Sequence, residues 1–271
     1  MDRDENQLVA GEHERLKLSA FIITLNEERR LRDCLESLSF CDEIVVVDSF
    51  SSDRTREIAE SYNAKVIKRE WTNFRDQKNF ALKQCNNDWV LLIDADERVS
   101  PELRSNIERV LENRRDPSVQ WDVVGYELHR VVHFLGRWWG GTGWRDEYVL
   151  RFFQRSKISW SEATIHEKVI PNGVVCRLSG ELHHYSFENI SDQVQKHLRY
   201  ARLAAQEYEG PQVGIIRLIC SPLVRFVKFY LLNRGILAGV AGFIVAINEA
   251  FYTFLKYAIV WEIQNSRSKE E

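Results

Sequence analysis

Many features that would settle a protein's class are missing from this sequence. The five cysteines, Cys34, Cys41, Cys85, Cys176 and Cys220, are odd in number and scattered, with no CxxC pair. That argues against a disulfide framework or a zinc site and for reduced, mostly buried thiols. The opening stretch MDRDENQLVAGEHERLKL is polar and holds no apolar signal core, so a cytosolic chain is expected. Excess positive charge is absent too. A formal net charge of −3 excludes a general nucleic-acid binder from the expected classes. No internal repeat or low-complexity tract stands out, and no glycine-rich phosphate loop follows Leu25.

What is present begins with 271 residues, 44% of them hydrophobic, enough for one large domain with an appendage. SAFIITL (19–25), EIVVVD (43–48), AKVIK (64–68) and WVLLID (89–94) read as buried strands. Each is followed by helical apolar spacing: NEERRLRDCLESL, SFSSDRTREIAESY, FRDQKNFALKQC and PELRSNIERVLEN. Four such alternations predict a parallel α/β sheet, with ligands beyond the carboxyl ends of its strands. Asn26, Asp48 and the pair Asp94 and Asp96 all fall at those ends. Downstream, VVGYELHRV, YVLRFF and VVCRLS predict an antiparallel extension, interrupted by the loop RWWGGTGWRDE. From Ile190 the pattern is helical.

Asp94 and Asp96 close an apolar strand, where adjacent like charges repel and are costly to desolvate. A divalent cation, magnesium or manganese, answers that problem, since such ions take carboxylate oxygens and complete their shell with phosphates. For a lone D-x-D, solvation or pairing with lysine or arginine is the better answer; the buried strand and the two other polar strand ends favour the metal here.

FIITLNEE, VVVDSFSSDRT, FRDQKNFAL and LLIDADE, in this order and spacing, resemble the nucleotide-sugar domain of inverting glycosyltransferase family 2, with the GT-A fold. RFFQR, IHEKV, LHHYSF, KHLRYARLAA and the apolar tail resemble a bacterial branch that includes lipopolysaccharide-core β-glucosyltransferases. The resemblance implies an α/β GT-A domain over 19–188, after a polar leader (1–18). Membrane-associated helices over 189–265 and a polar tail (266–271) complete the expected organisation.

The resemblance further implies that Thr24, Leu25, Asn26 and Glu27 receive the nucleotide and that Asp48, with Ser49 and Ser51, holds its base or ribose. Gln77, Lys78 and Asn79 would line nucleotide and sugar, Asp94 and Ala95 would meet ribose or donor sugar, and Asp96 would ligate the metal. Many relatives carry a second acid where this chain has Ser49. Helix capping also accounts for Asn26, Ser51 and Asp53. Glu167 is the expected catalytic base, with Glu162 and Asp146 as runners-up. His166 is expected to orient the acceptor side and His184 is a candidate third metal ligand, although a lone histidine is more often a hydrogen-bonded structural residue. Arg151 is expected either to meet phosphate or an acidic acceptor or, equally, to form ordinary strand salt bridges. Trp138, Trp139 and Trp144 offer stacking faces for an acceptor sugar; a loop burying its own tryptophans explains them as well.

Between Gln212 and Arg234 the charges are all basic, and positions 217, 221, 225 and 228 share a helical face, the pattern of a helix lying on anionic lipid. Pro222 should kink or divide it. ILAGVAGFIVAI, twelve residues, is too short to span a bilayer, though the wider stretch to Trp261 carries only Glu249 and Lys256 as charges. A monotopic attachment is expected, with a helical hairpin packed on the enzyme core and a spanning hairpin as the alternatives. Together with the basic amphipathic pattern, the resemblance implies a glycosyltransferase at the cytoplasmic face of the bacterial inner membrane. It would move glucose from UDP-glucose to a glycolipid, the lipopolysaccharide inner core. A polyprenyl-phosphate acceptor and a sugar nucleotidyltransferase are the alternatives.

Overall fold

The computed structural model describes residues 15–113, 122–144, 147–160 and 169–267. They form two compact units, one of residues up to 129 with 148–182, the other of 130–147 with 183–271.

The first unit is built on the predicted alternation. β1 (Leu18–Thr24), β2 (Glu43–Asp48), β3 (Lys65–Lys68) and β4 (Trp89–Leu92) are parallel, in the order β3–β2–β1–β4. Thr24 pairs with Asp48, and Phe21 with Leu92, so the three strand ends lie side by side. Burial alternates through the sheet. Ala20, Ile22, Val46 and Leu91 pack on α1 (Leu31–Ser37), α2 (Thr55–Ser61) and α4 (Pro101–Asn113). Phe21, Val45, Val47, Val90 and Leu92 pack on the other face, against Ala81 and Leu82 of α3 (Phe74–Lys83). A strand covered on both faces has no polar side to show, which is why these segments read as continuous β-branched runs.

β4 stops at Leu92; Asp94 and Asp96 lie in the turn before a short β5 (Glu97–Val99). Beyond β4 the sheet continues through β8 (Glu147–Gln154), β6 (Val123–Phe134), β11 (Val174–His184) and β5. β9 (Ile158–Trp160) and β10 (Val169–Pro171) form a separate antiparallel pair. β4 and β8 are antiparallel, Leu91 opposite Phe152. Arg151 directly precedes Phe152 on β8, at the end of β4 that runs into Asp94.

In the second unit β7 (Arg137–Trp138) folds back on the end of β6, and three helices follow: α5 (Ile190–Gln206), α6 (Ile215–Val227) and α7 (Gly239–Arg267). The Asn189 side chain caps α5 by accepting from the Asp192 amide at 2.9 Å. Pro222 lies inside α6 without dividing it, and the chain continues into a π-helical turn at Lys228–Leu232. The twelve-residue apolar run is split: residues 236–238 belong to a 3₁₀ turn, and 239–247 open the 29-residue α7, within which Asn248 and Glu249 find partners. Among the described residues one helical stretch, 235–266, is long and apolar enough to cross a membrane. Gly242 lies against the 3₁₀ turn Gly235–Ala238, where a Cβ would stand 1.9 Å from the Gly235 carbonyl oxygen.

Candidate active site

The parallel strands deliver their polar ends to one edge. Asp48, fully buried, accepts from Thr24 Oγ1 at 3.3 Å, from the Ser51 amide at 3.0 Å and from Ser51 Oγ, with Arg56 Nε at 3.7 Å. Four contacts fill the lone-pair directions of a carboxylate. Asp48 therefore organises the β2 turn from beneath. Ser49 accepts from Gln77 Nε2 at 3.0 Å, which ties that turn to α3. The Asn26 amide donates to Ser51 Oγ at 2.9 Å, and Asn26 Oδ1 accepts from the Ser52 amide at 2.9 Å. Glu27 donates its amide to Thr55 Oγ1. Asn26 (φ +56°) and Phe50 (φ +61°) both occupy the left-handed region, and for a bulky residue such as Phe50 that is a strained state. Asp53 behaves as a cap. Desolvation would raise its pKa, yet hydrogen bonds from Thr55 and Glu28 hold it below the ordinary carboxylate range.

Of the α3 candidates, Gln77 and Lys78 are buried at this edge, whereas Asn79 lines a separate cleft of about 740 Å3 with Arg75, Lys83, Asp88, Arg155 and Trp160. Leu25 is half-exposed and Ala95 buried.

The chain itself supplies cations opposite the acidic turn. Arg151 Nη2 donates to Asp94 Oδ2 at 2.5 Å and to Glu97 Oε1 at 3.1 Å, and Lys78 Nζ lies 3.9 Å from Asp94 Oδ1. Glu97 is fully buried and also accepts from the Asp94 amide at 3.0 Å. Burial opposes the charge on Arg151, but Asp94 and Glu97 more than restore it and hold its pKa above the ordinary guanidinium value. Behind the turn, burial first and then Glu97, Asp96 and Asp94 push the Cys34 thiol well up. Of the two roles expected for Arg151, the structure shows the salt bridge: it is a buried clamp on Asp94 and Glu97.

The tryptophans divide. Trp139 is 1% exposed, packs on Phe229 and donates Nε1 to the Phe134 carbonyl at 2.9 Å. Trp144 donates Nε1 to Glu249 Oε1 at 3.1 Å. Asn233 grips the loop by accepting from the Gly143 amide at 2.6 Å and donating Nδ2 to the Gly143 carbonyl at 2.9 Å. For Trp139 and Trp144 the expected stacking surface is in fact packing. Only Trp138 stays open (38%), its ring 4.1 Å from His183 and 5.6 Å from Tyr185.

His184 exchanges hydrogen bonds with Ser186, and among the described residues no group of three or more His, Cys, Asp or Glu is gathered to hold a metal. Glu167, His166, Glu162 and Asp146 lie outside the described residues.

A family model, glycosyl transferase family 2, matches residues 19–167. The chain belongs to glycosyltransferase family 2. This glycosyltransferase is 33% identical over 257 residues to the lipopolysaccharide core biosynthesis glycosyltransferase LpsC of Rhizobium meliloti, covering 92% of this chain and 93% of the relative. An uncharacterized glycosyltransferase of Rickettsia typhi is 32% identical over 91% of this chain and 87% of its own. Among solved structures, Staphylococcus aureus TarS covers 93% of this chain at 18% identity and TM-score 0.46, over 54% of its own length. Glucosyl-3-phosphoglycerate synthase from Mycobacterium tuberculosis, crystallised with Mn2+, UDP and glucosyl-3-phosphoglycerate, matches over 44% of each chain at 22% identity and TM-score 0.35.

In this glycosyltransferase, Glu97 and Arg56 were not singled out from the sequence. Alternation offers a signal for Glu97: Ala95, Glu97 and Val99 are all buried, and an acid in an inward register requires a cation. Asp94 is engaged by arginine and lysine, and Asp96 is a second, partly exposed carboxylate of the same turn. One carboxylate fits an ion that completes its shell with phosphate oxygens and water.

Proposed function

We propose that this glycosyltransferase moves glucose from UDP-glucose to a lipopolysaccharide inner-core glycolipid, with inversion at the anomeric carbon. The observation that carries the reading is the 33% identity to the lipopolysaccharide-core relative across nearly the whole of both chains. The cluster of Thr24, Asn26, Asp48, Gln77 and Asp94 at the strand ends supports a nucleotide-sugar there.

The turns after β1 and β2 receive the nucleotide, shaped by Asp48 and Gln77. Arg151 fixes Asp94 in one orientation towards the ribose or donor sugar, and Lys78 adds positive charge beside it. The acceptor hydroxyl attacks the anomeric carbon from the face opposite the leaving group. A new glycosidic bond forms, the bond to the diphosphate breaks, and the Glu167 carboxylate takes the hydroxyl proton. A divalent cation, magnesium or manganese, held by Asp96 would offset charge on the leaving diphosphate. The helical region attaches the enzyme peripherally to anionic lipid at the cytoplasmic face of the inner membrane, where a glycolipid acceptor resides.

The test is sugar release or transfer from a panel of nucleotide-sugars, with and without magnesium or manganese. UDP-glucose should be preferred, and Asp96→Asn should lose at least a hundredfold in kcat. Full activity without metal, or in Asp96→Asn, would refute the diphosphate account. Full activity in Glu167→Gln would move the base elsewhere.

A further inference from the structure

We infer that α6 and α7 dock in the plane of one leaflet of an anionic bilayer, through a single apolar face, and that α7 does not cross the membrane although it is long enough. The inference depends on the glycolipid reading for its purpose and on the second unit alone for its geometry.

α7 measures about 43 Å at 1.5 Å per residue, against a hydrocarbon core of about 30 Å. Length therefore permits a crossing, and its neighbours forbid it. α5 runs beside α7 over about 18 Å, from Gln193, whose Oε1 accepts from Asn248 Nδ2 at 2.6 Å, to Ala205, which packs with Val260. The sides of α5 away from α7 carry Arg199 and Arg202, both exposed. A spanning α7 would drag those guanidinium groups into hydrocarbon, where each costs roughly 2.5–3.5 kcal/mol or more at the centre. One flank of α7 is therefore aqueous along half its length.

α6 takes a second flank with its polar face turned inward. Arg225 donates to Glu249 Oε2, through Nε at 3.1 Å and through Nη2, and the Arg217 guanidinium sits 5.5 Å from the Tyr257 ring centroid. The basic face expected on lipid head groups is thus partly spent on α7. The apolar face points out instead: Ile216 (76% exposed), Leu223 and Val227 on α6, continuing through Leu232 and Leu237 in the connection. On α7 the exposed residues Val240, Phe243, Ile247, Phe251 and Phe254 recur every three or four positions, which is one stripe. The two stripes meet where Phe243 packs on Phe226 and Tyr230. In water so broad an apolar face is unfavourable, and monomeric soluble proteins rarely keep one.

Charge selects the occupant. Between Gln212 and Trp261 the basic residues are Arg217, Arg225, Lys228, Arg234 and Lys256, and the one acid is Glu249, which is buried. Lys228 and Arg234, exposed at the α6–α7 connection, border the apolar face. Glu262, near the far end of α7, is exposed as well, so the exposed charge is basic at the α6–α7 connection. An apolar face bordered there by Lys228 and Arg234 matches an anionic leaflet rather than a protein groove of mixed charge.

The test has two arms. In the first, full-length protein is floated with vesicles of phosphatidylglycerol and phosphatidylcholine, or of phosphatidylcholine alone. Wild type should float with the anionic vesicles and at least about tenfold less with the neutral ones. The variant Ile216→Asp/Leu223→Asp/Leu237→Asp, with its unfolding midpoint in detergent as the control for folding, should lose flotation on both. In the second arm Cys176 and Cys220 become serine, and Arg234→Cys or Ser266→Cys is probed with a membrane-impermeant maleimide. Both positions should label in inverted inner-membrane vesicles and neither in spheroplasts. Labelling of Arg234→Cys from outside spheroplasts, undiminished flotation of the folded triple variant, or equal flotation on both lipids overturns the inference. Nucleotide-sugar hydrolysis by wild type in detergent reads the enzymatic proposal separately: its absence with the labelling pattern intact sinks that proposal and leaves the docking standing.

Discussion

Replacing Arg151 by alanine tests the central claim about the acidic turn. Arg151 is 6% exposed and donates to Asp94 at 2.5 Å and Glu97 at 3.1 Å. At an effective dielectric of about 20, each contact represents roughly 5–7 kcal/mol of Coulomb attraction, most of it offset by the desolvation of all three groups. The net value of the clamp is therefore modest, but removing one side is not. Asp94 would keep Lys78 at 3.9 Å, while Glu97, fully buried, would keep the Asp94 amide and lose the guanidinium. Removing one side of a buried ion pair costs about 3–5 kcal/mol. For a chain of this size that lowers the unfolding midpoint by roughly 6–20 °C. Arg151→Lys retains the charge without the fork that reaches two carboxylates and should fall between wild type and alanine. Urea unfolding of Arg151→Ala, Glu97→Gln and the double variant measures the coupling directly, and the double variant should be more stable than the sum of the singles by at least about 1 kcal/mol. Additive effects, or a loss below about 1 kcal/mol in Arg151→Ala, would refute the clamp.

Two further perturbations follow from the second unit. His197 is held below its ordinary pKa by burial, which outweighs the pull of Glu249. Its folded pKa is below the unfolded value of 6.5, so the unfolded chain binds the extra proton, and stability is complete above pH 6.5 and declines as pH falls through it. Unfolding midpoints at pH 7.5 and 5.5 should show that decline in wild type and a smaller one in His197→Asn; equal slopes would refute it. Gly143→Ala places a Cβ 2.6 Å from Phe229 Cζ at φ +73°, so it should cost about 1–3 kcal/mol and free the loop that Asn233 grips, read as lost stability and increased proteolysis between β7 and β8.

Much of the first unit was legible because its chemistry is local. Parallel strands buried on both faces read as unbroken apolar runs, and their polar terminators stood out for the same reason. Partnership between distant residues was not legible. Arg151 and Glu97 are 54 residues apart in sequence, and their pairing depends on β8 lying antiparallel to β4. The aromatic loop reads identically whether its rings face a sugar or a core; Phe229 and Ala238, some ninety residues downstream, decide the matter for Trp139. α6 misleads most. Periodicity gives a helix two faces, and burial of the apolar one is the usual outcome, yet here Glu249 draws the charged face inward and the apolar face is left outside.

The loop that joins β7 to β8 has a practical consequence for anyone wishing to trim this enzyme. Phe134 and Trp139 are covered by Phe229, Ala238, Val245 and Ala246, residues that a sequence-based boundary near 188 would assign to a dispensable membrane anchor. Cutting there does not release a water-soluble catalytic module. It uncovers two large aromatic side chains and exchanges one sticky surface for another.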